Sequence, residues 1–152
     1  MTDANDLVRR IDALIAATAP AARRALAQQI AKRLRETNRA RIQAQTAPDG
    51  TPYIPRIAQP QRGRKKGRLR QRMFVKLISA RYLKAQATPA AAVVDFGVSA
   101  GRIARVHHFG LEDQVRPGIR HRYAARPLLG ISPSDRAAIA DLLLAHLANA
   151  GV

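Results

Sequence analysis

The sequence predicts an α+β protein with an N-terminal helical hairpin, a small mostly antiparallel sheet, helices packed on one face and one long basic loop. Three observations predict it. Apolar residues make up 47% of the 152 residues, enough for a core, yet aromatics are only 4% and much of the remainder is Ala, which suits helices. Apolar residues recur at helical spacing towards both ends of the chain, while residues near 91–98 alternate as a strand does. Between them a Pro-rich stretch leads into residues 62–72, RGRKKGRLRQR, in which seven of eleven residues are Lys or Arg.

Leu7, Ile11, Leu14 and Ile15 fall on one helical face, with Asp3 placed as N-cap and Asp6 in the favourable first turn. ATAP then interrupts, and Pro20 takes the first position of a second helix expected to reach about residue 45, on the row Leu26, Ile30 and Leu34. The short connection predicts an antiparallel hairpin over residues 1–46. Pro48-Asp49-Gly50 is turn chemistry, and the three prolines of PDGTPYIP enforce an extended path into a loop over residues 47–67. A loop of that length is usually functional or disordered.

From about Arg68 a third helix is expected as far as Ala85, on the row Leu69, Met73 and Leu77 with Phe74 and Ile78 beside it. In AAVVDFGV, Val94, Phe96 and Val98 alternate with Val93, Asp95 and Gly97, a half-buried strand. SAGRIARVHHFG reads as a short helix with Gly110 as its C-cap, and DQVRPGIRHRYAARP as a loop leading into a short strand near Tyr123, within 120–125. The last helix opens on Ser132 as N-cap, Pro133 at the first position and Asp135 at the third. Ile139, Leu142, Leu143, His146 and Leu147 form its stripe, and Gly151 is expected to stop it. Residues 68–152 then make an α+β core, and residues 1–152 read as one domain without internal repeats.

The net charge is +17, and it is uneven: residues 1–19 sum to −1, residues 20–86 to +16 and residues 87–152 to +2. Such a field implies an anionic partner, whether nucleic acid, an acidic protein surface or a membrane face. The N-terminus lacks the basic-then-apolar order of a signal peptide, and no apolar run approaches the length of a bilayer span, so a soluble protein without a membrane partner is expected. The absence of cysteine excludes disulfides and thiolate chemistry.

Arg62, Arg64, Lys65, Lys66, Arg68, Arg70 and Arg72 are the candidate contact for an anionic surface or for DNA; the alternative is a solvated loop. The excess of Arg over Lys favours bidentate contacts to phosphate or carboxylate. Sequence-specific reading is not expected, because there is no zinc-ligand set and no aromatic ladder on which single strands stack. His107 and His108 are adjacent and diverge, His121 lies in a loop and His146 on an apolar helix face, so core or interface roles are expected and no metal. No nucleophile, base and orienter group together, and no glycine loop cradles phosphate, so neither catalysis nor a cofactor is expected.

The segments APDGTPYIP, RMFVKLISARYLKA, VDFGVSAGRIARVHHFGLEDQV and YAARPLLGISPSDRAAIADLLLAHL, in that order and spacing, resemble the phage virion morphogenesis proteins, the tail completion family of contractile-tailed phages. The resemblance runs from about residue 5 to residue 148, and IARVHHFGL followed by ARPLLGIS is its most specific part. Where that family often has Trp after the Asp-Gly turn, this chain has Tyr53.

The resemblance implies a non-enzymatic structural protein that completes the tail at its head-proximal end and makes it competent to join a DNA-filled head. Relation to the small α+β neck and tail-terminator proteins implies a homo-oligomeric ring, expected to be a hexamer, with the tail tube and connector as partners. The expected location is the head-proximal end of the virion tail, with assembly in the host cytoplasm. In a ring the basic segments surround one axis, lining a channel for passing DNA or clamping acidic surfaces, and they are expected to be mobile until docked. His107, His108, Phe109, Arg126, Pro127, Leu128 and Leu129 are the candidates for folding, subunit or partner contacts. A non-specific nucleic-acid-binding basic protein is the alternative, and an accessory factor that leaves after assembly is a third reading.

Overall fold

The structure is a computed structural model that describes residues 2–57 and 72–150. It is an α+β fold of four helices and two two-stranded sheets. In chain order these are α1 (Thr2–Ala17), α2 (Pro20–Gln43), β1 (Leu83–Ala87), β2 (Ala92–Phe96), α3 (Val98–Phe109), β3 (Glu112–Arg116), β4 (Ile119–Arg122) and α4 (Pro133–Ala150). β1 pairs with β2, and β3 with β4. The chain forms two compact units: Met1–Glu36 with Ala85–Val94 and Ile131–Val152, and Thr37–Lys84 with Asp95–Gly130.

In the first unit, α1 ends where the Thr18 hydroxyl donates to the Ile15 carbonyl at 2.8 Å, and Pro20 opens α2 as its spacing predicted. The Ala19 carbonyl accepts the first helical bond, from the Arg23 N–H at 2.9 Å. The buried row of α2 is Ala27, Ala31 and Leu34, continued in the second unit by Asn38 and Ile42. Those intervals of four, three, four and four residues keep one face inward over the whole helix. The predicted row through Leu26 and Ile30 lies beside it and is only half-buried.

α1 packs on α4. The start of α4 follows from its sequence: the Asp135 N–H donates to Ser132 Oγ at 3.1 Å, and the Ser132 N–H donates to Asp135 Oδ2 at 2.9 Å. This reciprocal box satisfies two otherwise orphaned donors and contributes about 1 kcal/mol. Further along, α4 is apolar on nearly every side, and only half of that surface is covered. Ile139, Leu142 and His146 are half-buried, whereas Leu143, Leu144 and Leu147 are exposed.

The second unit holds a core of Ile42, Ala47, Tyr53, Met73, Ile78, Ala104 and Leu128, flanked by Phe74, Leu77 and Phe96. Full burial of side chains such as Ile42 and Leu128 contributes roughly 1.5–3 kcal/mol each. α3 forms as expected and ends at Gly110, which adopts the left-handed conformation (φ 66°) and donates its N–H to the Val106 carbonyl. A Cβ at that position would also lie 2.8 Å from the Ala125 nitrogen, so only glycine fits.

β3 and β4 make an antiparallel hairpin in the register Glu112↔Arg122, Asp113↔His121, Gln114↔Arg120 and Arg116↔Ile119. Val115 has no opposite number and is the extra residue of a bulge. Pro117 and Gly118 (φ 78°) turn the chain, and the Tyr123 N–H extends the ladder by donating to the Leu111 carbonyl at 3.1 Å.

Three expectations change. The third helix is absent from residues 72–82, which form successive turns that end in β1. The cause is visible at Phe74, whose φ of 66° cannot continue a right-handed helix. Met73, Leu77 and Ile78 do turn towards the core, so their spacing carried the burial but not the conformation. β1, of sequence LKAQA, stands where the end of the third helix is expected, although its residues have little strand propensity. β3 replaces part of the predicted loop, where the Pro-Gly turn brings EDQVR against β4. The predicted stop at Gly151 lies outside the described residues.

Candidate functional site: the clamped ends of the basic segment

Six of the seven predicted basic contact residues, Arg62, Arg64, Lys65, Lys66, Arg68 and Arg70, lie outside the described residues; Arg72 is described and exposed. The structure shows instead how the chain is held where it enters and leaves that segment. Both anchor points sit in the second unit.

At the entrance, residues 53–57 run outside any helix or strand, so their carbonyls have no ladder partners. Arg126 supplies them. Its Nε donates to the Ile54 carbonyl at 2.7 Å and its Nη2 to the Pro55 carbonyl at 3.1 Å, while its backbone N–H donates to the His107 carbonyl at 2.8 Å. The residue is only 6% exposed. Burial, aided by the charge of Arg56, holds its pKa below the ordinary arginine value. Tyr53 adds a second tie, its hydroxyl donating to the Pro127 carbonyl at 3.1 Å; burial pushes its pKa up to about 12 against the opposing charge of Arg41.

At the exit, the Gln45 side chain takes both backbone groups of Met73. Nε2 donates to the Met73 carbonyl at 2.9 Å, and the Met73 N–H donates to Oε1 at 2.7 Å. Tyr53 and Met73 belong to the same core cluster, so both ends of the segment are rooted in packed side chains.

The ARPLLG stretch that carries Arg126 is irregular backbone held by side chains. The Leu128 N–H donates to His108 Nδ1 at 3.1 Å, with the Leu129 N–H at 3.5 Å from the same atom. The Gly130 N–H donates to Asn38 Oδ1 at 3.0 Å, and Arg41 Nη2 bridges Asn38 Oδ1 and the Gly130 carbonyl, each at 2.8 Å. Because Nδ1 of His108 accepts, that imidazole is neutral with its proton on Nε2, and burial holds its pKa low. A Cβ on Gly130 would come within 2.5 Å of Pro48 Cγ, which is why this strap ends on glycine.

His107 lies between Phe74 and Tyr123, with ring centroids 5.0 and 4.6 Å away, in a run of edge-to-face contacts that reaches Tyr53 on one side and His121 on the other. Burial lowers its pKa most, then Arg126 and Arg56, against the opposing charge of Asp113.

The predicted contact set therefore divides. Arg126 and Leu128 are buried within the protomer, His107, His108 and Leu129 are half-buried, and Phe109 and Pro127 face solvent. Sequence reasoning missed Gln45, Asn38 and Arg41. Asn38 left a signal, a polar residue in register with the buried row of α2; Gln45 left none.

Among the described residues no group of three or more His, Cys, Asp or Glu is placed to hold a metal ion, and no helix is long and apolar enough to cross a membrane. What the site does is hold backbone: buried polar side chains fix two ends of a strongly basic segment.

Residues 2–148 match the phage virion morphogenesis family, and the chain belongs to it. It is 45% identical over 140 residues to the tail completion protein S of Escherichia phage P2, a match that covers 91% of this chain and 93% of that protein. No solved structure matches the chain.

Proposed function

We propose that this protein completes the phage tail at its head-proximal end and enables the tail to join the head, acting as a structural component and not as an enzyme. The observation that carries the reading is the end-to-end similarity to tail completion protein S of phage P2. The residue chemistry agrees with it. A chain of net charge +17 meets an anionic partner, and the seven cations of residues 62–72 are the part that does so.

In this reading the protein forms a ring, expected to be a hexamer, between the tail tube and the connector. Assembly takes place in the host cytoplasm, and the protein is located in the virion tail. Exposed Phe109 and Pro127 contact neighbours, while Arg126, His108 and Leu128 shape the surface from within. The cationic segment contacts DNA or an acidic protein face.

Electron microscopy of lysates from a phage lacking this gene tests the proposal. Filled heads beside unattached tails are expected. Normally joined particles would overturn it and direct attention to nucleic-acid binding by the isolated protein.

A further inference from the structure

The positive charge of the chain sits in one of its two units. The first unit carries eight bases against six acids, and the second nineteen bases against four acids. Residues 62–72 account for seven of those nineteen. Five more are arginines of α3 and the β3–β4 hairpin: Arg102, Arg105, Arg116, Arg120 and Arg122, all exposed. The acids beside them, Glu112 and Asp113, are taken by Arg120 and Arg102. Arg105, Arg116 and Arg122 have no acidic partner among the described residues. No acid follows Asp113 until Asp135, which belongs to the other unit.

The hairpin has two unlike faces. Asp113 reaches Arg102 on α3, and His121 stands opposite Asp113 with its ring against Tyr123, which in turn meets His107 of α3. Those positions set the face towards α3. Alternation places Glu112, Gln114, Arg120 and Arg122 on the other face, and the Arg120–Glu112 pair agrees with it. That outer face holds no apolar residue. Every residue from Gln114 to Arg122 is exposed, and two strands alone are marginal in water. At the tip the bulge sets Val115 outside the ladder, and the Pro117-Gly118 turn brings Ile119 level with Arg116. Val115 is 52% exposed and Ile119 55%.

We propose that this hairpin is a second anion contact, distinct from residues 62–72: a ribbon that enters a groove of double-stranded DNA without reading its sequence. A two-stranded ribbon has the width that the major groove admits. Arg120 and Arg122 on the outer face, with Arg116 at the tip, supply planar donors to phosphates on the groove walls, and Gln114 adds a neutral donor beside them. Val115, Pro117 and Ile119 put aliphatic surface against the base edges. An acidic protein face is the poorer fit, because charged residues are depleted at the centre of protein interfaces and the outer face holds little else. The contact goes beyond the role in tails and does not depend on it.

Binding of the purified full chain to a fluorescent DNA duplex of random sequence, followed by anisotropy across a salt series, tests it. The starting point is the variant in which all seven cations of residues 62–72 are Gln, and it is expected to keep salt-dependent binding. Adding Arg116→Gln and Arg122→Gln should weaken that binding about ten-fold or more and lower the salt slope by up to about 1.8, at roughly 0.9 for each lost phosphate contact. Circular dichroism should not change, because neither arginine is bonded within the fold. Location is read separately. The chain has no cysteine, so in the same background Val115→Cys creates one attachment point for a photo-crosslinker, with Leu144→Cys in the first unit as control. Val115→Cys should capture duplex DNA and Leu144→Cys should not. Loss of all binding in the seven-Gln variant, unchanged affinity once Arg116 and Arg122 are replaced, or equal capture at both positions would each overturn the contact. Poly-glutamate that competes as well as DNA, charge for charge, would also overturn it and direct attention to an acidic protein partner. A deletion phage whose heads and tails join normally would remove the tail role and leave the DNA contact standing.

Discussion

Gln45 serves Met73 as a neighbouring strand would, with one side-chain amide donating to its carbonyl at 2.9 Å and accepting from its N–H at 2.7 Å. Every polar group of Gln45 is in use. Its N–H donates to the Ile42 carbonyl at 3.1 Å, its carbonyl accepts from the Tyr53 N–H at 2.7 Å, and Nε2 also reaches the Ile42 carbonyl at 2.6 Å. The residue holds a left-handed conformation (φ 60°) to do so, at a cost of about 1 kcal/mol. Gln45→Ala leaves the N–H and carbonyl of buried Met73 without their side-chain partner and is expected to destabilise the protein by roughly 2–3 kcal/mol. Chemical denaturation measures the loss, and hydrogen exchange at the Met73 amide should accelerate with it. A change below about 0.5 kcal/mol would show that water replaces the clamp at little cost.

Arg126 performs the matching task at Ile54 and Pro55, and its two contacts diverge from one planar head group. Lysine is a point donor on a flexible stem and reaches one of the two carbonyls. Arg126→Met should cost about 1.5–3 kcal/mol, because it removes the charge-assisted hydrogen bonds to the Ile54 and Pro55 carbonyls. Arg126→Lys should fall between that and wild type. Equal losses for Lys and Met would assign the effect to packing of the side-chain stem alone.

Acid should loosen the second unit through its histidines. His107 and His108 both have pKa values held below the ordinary 6.5, so the unfolded chain takes up protons before the folded one does. Their contribution to stability is fully present above about pH 6.5 and is lost as pH falls through that value towards the lowered folded pKa. Protonation of His108 at Nδ1 also removes the acceptor for the Leu128 N–H. Melting temperature is expected to fall between pH 7 and pH 5, and His107→Gln with His108→Gln should flatten that slope while lowering stability at pH 7. A wild-type slope unchanged in the double variant would place the acid sensitivity elsewhere.

The parts of this fold written in local chemistry were legible in the sequence. Pro20 opened its helix, Gly110 closed another, and Ser132 with Asp135 formed the predicted box, because caps depend on neighbours within four residues. The failures lie where distant residues decide. The row Met73, Leu77 and Ile78 had helical spacing, yet Gln45, 28 residues earlier in the chain, takes the backbone bonds that Met73 would give a helix. β1 and β3 exist only through their partners, so nothing in LKAQA or EDQVR announces them. The site was half legible for the same reason. Charge marked residues 62–72 at once, whereas the side chains that anchor them are an ordinary Gln and an Arg among many.

The cations of residues 62–72 should be separable from the fold that holds them. Replacing Arg62, Arg64, Lys65, Lys66, Arg68, Arg70 and Arg72 with Gln removes seven charges and touches neither the Arg126 nor the Gln45 clamp. Thermal stability is therefore expected to stay within about 0.5 kcal/mol of wild type, because both clamps are kept. Head–tail joining, scored as infectious particles from a complemented deletion phage, is expected to fail. DNA binding by the purified protein then identifies the partner. If phosphates are the target, the wild-type affinity falls steeply with salt, and the variant loses up to roughly 0.9 of slope for each cation that was in contact. A weak, salt-insensitive wild-type affinity beside failed joining would assign the segment to an acidic protein face instead. Normal joining by the variant would remove the segment from the function altogether.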